Sequence, residues 1–177
     1  EPASVLLEKI TTEKERLIKE KKLKKQKPLL KMGAGEKSFE LPKGWEWERL
    51  GNTGIGFTGK TPSTKVVEYF NGNIPFIGPG QITVNGDILA AEKQLSESGV
   101  TQSVEAVNGD VLMVCIGGSI GKCAIISTRL TFNQQINSIR PLFIYSKYLY
   151  IAVSSRNFYS SLLDHATGSA TPIINRL

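Results

Sequence analysis

The chain is short of the residues that most metal and covalent chemistry needs. Its 177 residues contain two cysteines and one histidine. Cys115 and Cys123 lack metal-ligand spacing and stand in apolar, strand-like surroundings, which suits reduced core thiols of a cytoplasmic protein. His165 has no nearby cysteine, second histidine or Asp-x-His pattern, so it suggests neither a metal site nor a catalytic triad. No apolar stretch approaches the roughly 18 residues that would cross a bilayer, and no signal peptide opens the chain. A disulfide scaffold, a metalloenzyme and a membrane protein are therefore all poor readings.

What is present is an ordinary globular composition, 40% hydrophobic and 21% charged, with a formal net charge of +6. The positive balance favours a polyanionic partner. Much of it sits near the start, in Lys14, Arg16, Lys19, Lys21, Lys22, Lys24, Lys25, Lys27 and Lys31, against Glu13, Glu15 and Glu20. Residues 1–31 contain no glycine, and Pro2 stands where a helix tolerates it. Ala3, Leu6, Ile10 and Leu17 follow the 3-4 spacing of a coiled-coil seam, interrupted by Glu13. A helix from Pro2 to Gln26 would be roughly 37 Å long at about 1.5 Å per residue. It reads either as a solvated surface helix or as a rod that packs on a second helix through Val5, Leu6, Ile10 and Leu17. The same residues could pair with a second copy of the chain.

Pro28 ends the helical pattern, and residues 32–40 form a glycine-bearing linker into a compact domain, residues 41–177. In Leu41-Pro42-Lys43-Gly44-Trp45-Glu46-Trp47, tryptophan and glutamate alternate as in a half-buried strand, with the tryptophans as packing anchors rather than base-stacking platforms. Gly54 to Thr61 matches the phosphate-binding pattern G-x-x-x-x-G-K-[ST]. That motif needs a buried strand before it and a helix after it. Here Glu48 to Thr53 is polar and glycine-broken, and Pro62-Ser63-Thr64 reads as a loop. A small nucleotide-binding enzyme remains an alternative, as does a protein-interaction module that does not touch DNA.

Ile74 to Ile77 reads as a short strand, Asn85-Gly86 and Asn108-Gly109 as turns, and Val111 to Ile116 as a buried strand. Gly117-Gly118-Ser119-Ile120-Gly121-Lys122 turns the chain back into Cys123 to Ile126. Asn133-Gln134-Gln135 follows a strand-like Leu130 to Phe132; such amides either read adenine edges or satisfy a turn. Tyr148, Ile151, Ala152, Ser155, Tyr159, Leu162 and Leu163 then recur at helical spacing, predicting one helix from about Lys147 to Asp164. The last residues are extended and simply stop, which predicts a fragment of a longer protein. The architecture expected is α+β: a long N-terminal helix, then a mostly antiparallel β domain closed by a C-terminal helix.

Taken in order, these pieces resemble the specificity subunit of type I restriction–modification systems, the HsdS family. The resemblance rests on Leu6-Leu7-Glu8-Lys9-Ile10 with Glu13 to Lys19 as part of a spacer helix, and on Leu41 to Trp47 with Leu50-Gly51 as the entry to a target-recognition domain. Gly59-Lys60-Thr61-Pro62-Ser63 is similar to the family's Gly-x-Thr-Pro-Ser loop; Gly117 to Lys122, Asn133-Gln134-Gln135 and Ala166-Thr167-Gly168-Ser169 follow in the expected order. Family members generally carry two recognition domains and two spacer helices, and this chain has one of each.

The resemblance implies a non-catalytic, DNA-binding subunit of a phage-defence restriction system. Its recognition domain would read one half of a bipartite double-stranded target, and its helix would set the distance to the other half. Modification subunits that use S-adenosylmethionine and a motor-endonuclease subunit that uses ATP and magnesium would assemble around it, with no cofactor or metal in this chain. Loop chemistry and motif position mark Lys60, Lys65 and Lys122 for phosphate contact, and Thr61, Ser63, Gln81, Ser119, Asn133 and Gln134 for base reading or loop shaping.

Overall fold

The structure, a computed structural model, describes residues 1–25, 28–37 and 39–164. Among these no helix is long and apolar enough to cross a membrane. The described residues divide into two compact units, one of Glu1–Ile55 with Pro141–Ile144 and one built on Gly56–Arg140 with residues 145–164.

The first unit opens with α1, Ala3–Lys19. It is shorter than its sequence pattern because the chain closes it locally. Lys21 adopts φ 58°, Lys22 N donates to Leu17 O at 2.9 Å, and Lys21 N donates to Ile18 O at 3.0 Å. This is the paired 6→1 and 5→2 closure that usually places glycine where Lys21 stands. The absence of that glycine is why the pattern reads on to Gln26. Ile10 is buried within this unit, Leu6 and Leu17 are half-buried, and Val5 is exposed. Lys14, which sequence alone assigns to a solvated face, donates to Gly51 O at 2.6 Å, and partial burial lowers its pKa.

Residues 28–37 are tied to the same unit: Arg49 Nε donates to Leu30 O at 3.0 Å, and its guanidinium pairs with Glu36 at 2.8 Å. The segment around the tryptophans is not a strand. Trp45 is 55% exposed, while Trp47 meets the Phe39 ring edge-on at 4.8 Å and donates its indole N–H to Phe39 O. Trp47 is the better packed of the two.

The strands follow in chain order. They are β1 (Gly54–Thr58), β2 (Ile74–Ile77), β3 (Lys93–Leu95), then the single-turn α2 (Glu97–Val100) and β4 (Glu105–Ala106). Next come β5 (Val111–Val114), β6 (Cys123–Ile125), β7 (Leu130–Phe132) and β8 (Ile136–Pro141), and finally α3 (Ser146–Val153) and α4 (Arg156–Asp164). Two four-stranded sheets result, ordered β1-β8-β5-β6 and β3-β2-β7-β4. Pairing is antiparallel in β5–β6, β5–β8, β2–β3 and β4–β7; β2 and β7 run parallel, with Ile77 beside Phe132. Ile77, Ile82, Leu112, Val114, Ala124, Ile126, Phe132 and Ile136 form the core of the second unit. At about 1.5–3 kcal/mol for each large side chain removed from water, this cluster is its main source of stability.

The C-terminal helix of the sequence reading is two helices. Ser154 Oγ bonds back to Tyr150 O at 2.6 Å, and Ser155 Oγ accepts Phe158 N–H at 3.2 Å, capping α4. The buried face of α3 carries Leu149 and Val153, whereas Tyr148 and Ile151 are exposed, so the helical period holds but the α3 part of the stripe chosen from sequence faces outward; in α4, Tyr159 lies against Gly121 and Leu162 is half-buried. His165 and the Ala166-Thr167-Gly168-Ser169 motif lie outside the described residues.

Candidate nucleic-acid interface

Four loops of the second unit leave the sheets at one end, and the register explains why. Val114 at the end of β5 faces Ile136 at the start of β8. Gly59, just past β1, donates its N–H to Ile136 O at 3.0 Å. Ile77, closing β2, accepts from Asn133 N at 3.0 Å, and Val114 N donates to Lys122 O at 2.9 Å. The loops 59–63, 78–81, 117–122 and 133–135 are thereby gathered together. None of them contains Asp or Glu.

Close backbone approach locks the first loop to the last. A Cβ on Gly59 would lie 2.0 Å from Asn133 O, so glycine is required there for steric reasons. Lys60 N donates to Phe132 O at 3.0 Å, and Lys60 O accepts from Ser103 Oγ at 2.6 Å. These bonds also dispose of the nucleotide-binding alternative for Gly54 to Thr61. Gly54–Thr58 is a strand, no α-helix follows Thr61, and the Gly59 and Lys60 amides that would cradle a phosphate are spent on the protein's own carbonyls.

The polar side chains then separate by what they already hold. Gln81 Oε1 accepts Gly78 N–H at 3.0 Å, which folds its own loop. Asn133 is used twice, Oδ1 accepting Gln135 N–H at 3.0 Å and Nδ2 donating to Gln135 Oε1 at 2.9 Å. Both therefore shape loops. Thr61 Oγ1 donates to Gln134 Oε1 at 2.7 Å, joining the first and last loops at their exposed rim. Lys60, Ser63 and Gln134 are exposed, and Ser119 and Lys122 are half-buried on the hairpin turn. Lys65 is exposed on the turn beyond Ser63, and no hydrogen bond of the described residues joins it to the cluster.

Sequence reasoning missed Ser103 and Asn137 as supports and left the role of Gln135 open. Ser103 holds Lys60, Gln135 holds Asn133, and Asn137 bridges β1 to the end of β5 by accepting Thr58 Oγ1–H at 2.8 Å and donating to Cys115 Sγ at 3.1 Å. A polar residue inside the strand pattern was the available signal for Asn137. Burial raises the Cys115 thiol pKa and pushes Cys123 up to about 12, so both are protonated packing groups at neutral pH. Behind the loops, Arg140 pairs with the buried Asp110 and lies 5.2 Å from the centre of the Phe57 ring.

The chain is similar to known proteins in sequence and in fold. The family model described as "Type I restriction modification DNA specificity domain" matches residues 42–176. The specificity subunit of the type I restriction enzyme MjaIX from Methanocaldococcus jannaschii is 30% identical over 137 residues, covering 75% of this chain and 32% of that protein. The EcoAI specificity subunit of Escherichia coli is 62% identical over 52 residues, 29% of this chain and 9% of that one. The crystal structure of an HsdS subunit from Thermoanaerobacter tengcongensis shares the fold with a TM-score of 0.57 at 20% identity, over 71% of this chain and 30% of that chain. The chain thus spans about a third or less of the length of these relatives.

Proposed function

The chain belongs to the type I restriction–modification DNA specificity family, and from that premise we propose that its second unit reads one half of a bipartite double-stranded DNA target. The observation that carries this reading is the gathering of four carboxylate-free loops at one end of the two sheets, with Lys60, Lys122 and Gln134 among their side chains. Lysines neutralise phosphates and fix register, while amides and hydroxyls read base edges. Lys60 and Lys122 take the phosphate role, with Lys65 at the margin. Ser63, Ser119 and Gln134 face the bases, with Thr61, Gln81 and Asn133 shaping the loops that carry them.

In this reading the chain does no chemistry and binds no cofactor. Modification subunits methylate the site that it selects, and a motor-endonuclease subunit joins them, in the cytoplasm where the chromosome lies. The helix α1 belongs to the spacing device, pairing with a further helix of the complete subunit through Val5 and the half-buried Leu6 and Leu17. Ile10 contributes by fixing the helix to its own unit.

The test is DNA affinity against salt for the full-length subunit assembled with modification subunits. Lys60→Ala and Lys122→Ala are each expected to weaken binding to all sequences and to lower the salt slope by about 1. Unchanged affinity and slope in both variants would remove this end of the unit from the interface.

A further inference from the structure

Gln134 stands exposed at the tip of the β7–β8 turn with one of the two lone pairs of its amide oxygen already engaged. The bond from Thr61 Oγ1 to Gln134 Oε1, 2.7 Å long, runs one way, because a carbonyl oxygen has no proton to give. Thr61 is fixed in that position by the anchoring of its neighbour, since Lys60 is bonded through both its N–H and its carbonyl. The adjacent glutamine repeats the pattern: Gln135 Oε1 is occupied by Asn133 Nδ2. Both amide oxygens at the tip thus accept from the protein, while no hydrogen bond among the described residues uses the Nε2 of the exposed Gln134. The four gathered loops carry Lys60 and Lys122 and no carboxylate.

We infer that Gln134 is a specificity-determining residue that selects guanine, donating from Nε2 to the N7 and O6 acceptors of its major-groove edge; this rests on the DNA-reading function proposed above. A glutamine selects adenine by donating to N7 while its oxygen accepts from the N6 amino group. Here Thr61 occupies that oxygen, so the accepting half of the adenine pattern is weakened and the donating half remains. Guanine supplies two acceptors to the two Nε2 protons. Cytosine presents a donor, and thymine a single acceptor beside its methyl group. Thr61 is then a positioning residue: it touches no base and sets which face of the amide is on offer.

The experiment maps methylated sites by sequencing, using the full-length subunit assembled with its modification subunits. Wild type is expected to give a bipartite motif. Gln134→Ala should make one guanine position of one half-site degenerate and leave the rest of the motif intact. Gln134→Glu, nearly the same shape with an acceptor in place of Nε2, should exchange guanine for cytosine at that position. Thr61→Val should admit adenine there roughly tenfold more readily. Persistent methylation of the other positions reports that each variant has folded and assembled. The proposal is overturned if the position relaxed by Gln134→Ala is not guanine, or if Gln134→Glu keeps the wild-type motif. Absence of any motif from the wild-type assembly would instead overturn the DNA-reading function itself.

Discussion

Arg140 holds Asp110 with two hydrogen bonds, Nε to Oδ1 at 2.9 Å and Nη2 to Oδ2 at 2.8 Å, and Asp110 is 1% exposed. The same carboxylate accepts Val107 N–H at 3.0 Å, so its charge is compensated within the fold. The pairing raises the pKa of Arg140 further, and the guanidinium stays charged at any pH at which the protein folds. Sequence places Asp110 at the start of an apolar run, and that is the position where a structural carboxylate closes the turn into β5.

Arg140→Ala should leave a buried carboxylate without its cation and cost about 1–3 kcal/mol, less than for a fully buried pair because the guanidinium is 36% exposed. The urea midpoint of unfolding is the measurement. Asp110→Asn, which removes the charge and keeps an acceptor for Val107, should cost less. Equal midpoints for Arg140→Ala and wild type would mean that the pair contributes nothing.

At the end of α1, Lys21 occupies a left-handed position at φ 58° that costs an L-residue about 1–2 kcal/mol. Lys21→Gly should relieve most of that cost, offset in part by the greater freedom of glycine in the unfolded chain, for a net gain of about 0.5–1 kcal/mol. Thermal melting followed by helical circular dichroism would register it. A loss of helix signal in this variant would argue that α1 extends past Lys19.

Gly59→Ala tests whether the loops are locked together as described. Its Cβ would meet the backbone of Asn133 and the Phe132 ring, at 2.0 and 2.6 Å, and neither is free to move aside. The expected cost is about 1–3 kcal/mol, with loss of DNA binding. Gly80→Ala, where nothing lies within 4 Å, is the control and should stay within about 0.5 kcal/mol of wild type.

Stability at alkaline pH should depend on Cys123. Burial raises its thiol from a usual value of about 8.5 to about 12, so the folded state holds this proton more tightly than the unfolded state. The contribution is fully present below about pH 8.5 and is lost as pH rises toward 12. Urea midpoints measured from pH 8 to pH 11 should fall less steeply for Cys123→Ala than for wild type. Parallel pH profiles would show that the thiol stays protonated in both states or is exposed in both.

Much of the local structure was legible because it depends on neighbours in sequence. Continuous apolar residues marked β5, and Leu130 to Phe132 marked β7. The Asn-Gly pairs marked turns at Gly86 and Gly109, which take φ 87° and 91°. Helical period marked the C-terminal segment. The Ser154-Ser155 break was missed, since two serines fit a helix as readily as a cap until their bonds are known. The exposed Trp45 and the outward Tyr148–Ile151 stripe were misread for a related reason: periodicity gives the spacing of a face, and only packing decides which face is inside.

The sequence by itself determined that donors and glycines would cluster in particular loops, because residue type and spacing are local properties. Only the tertiary structure decided that Gly59 must sit against Asn133, that β2 and β7 run parallel, and that Thr61 meets Gln134 across 73 positions of chain. Those contacts join residues far apart in sequence, and their free energy depends on backbone approach and on which lone pairs are already filled. No local pattern carries that information. It is also what turns a glutamine that could read several bases into one whose amide oxygen is already engaged by Thr61.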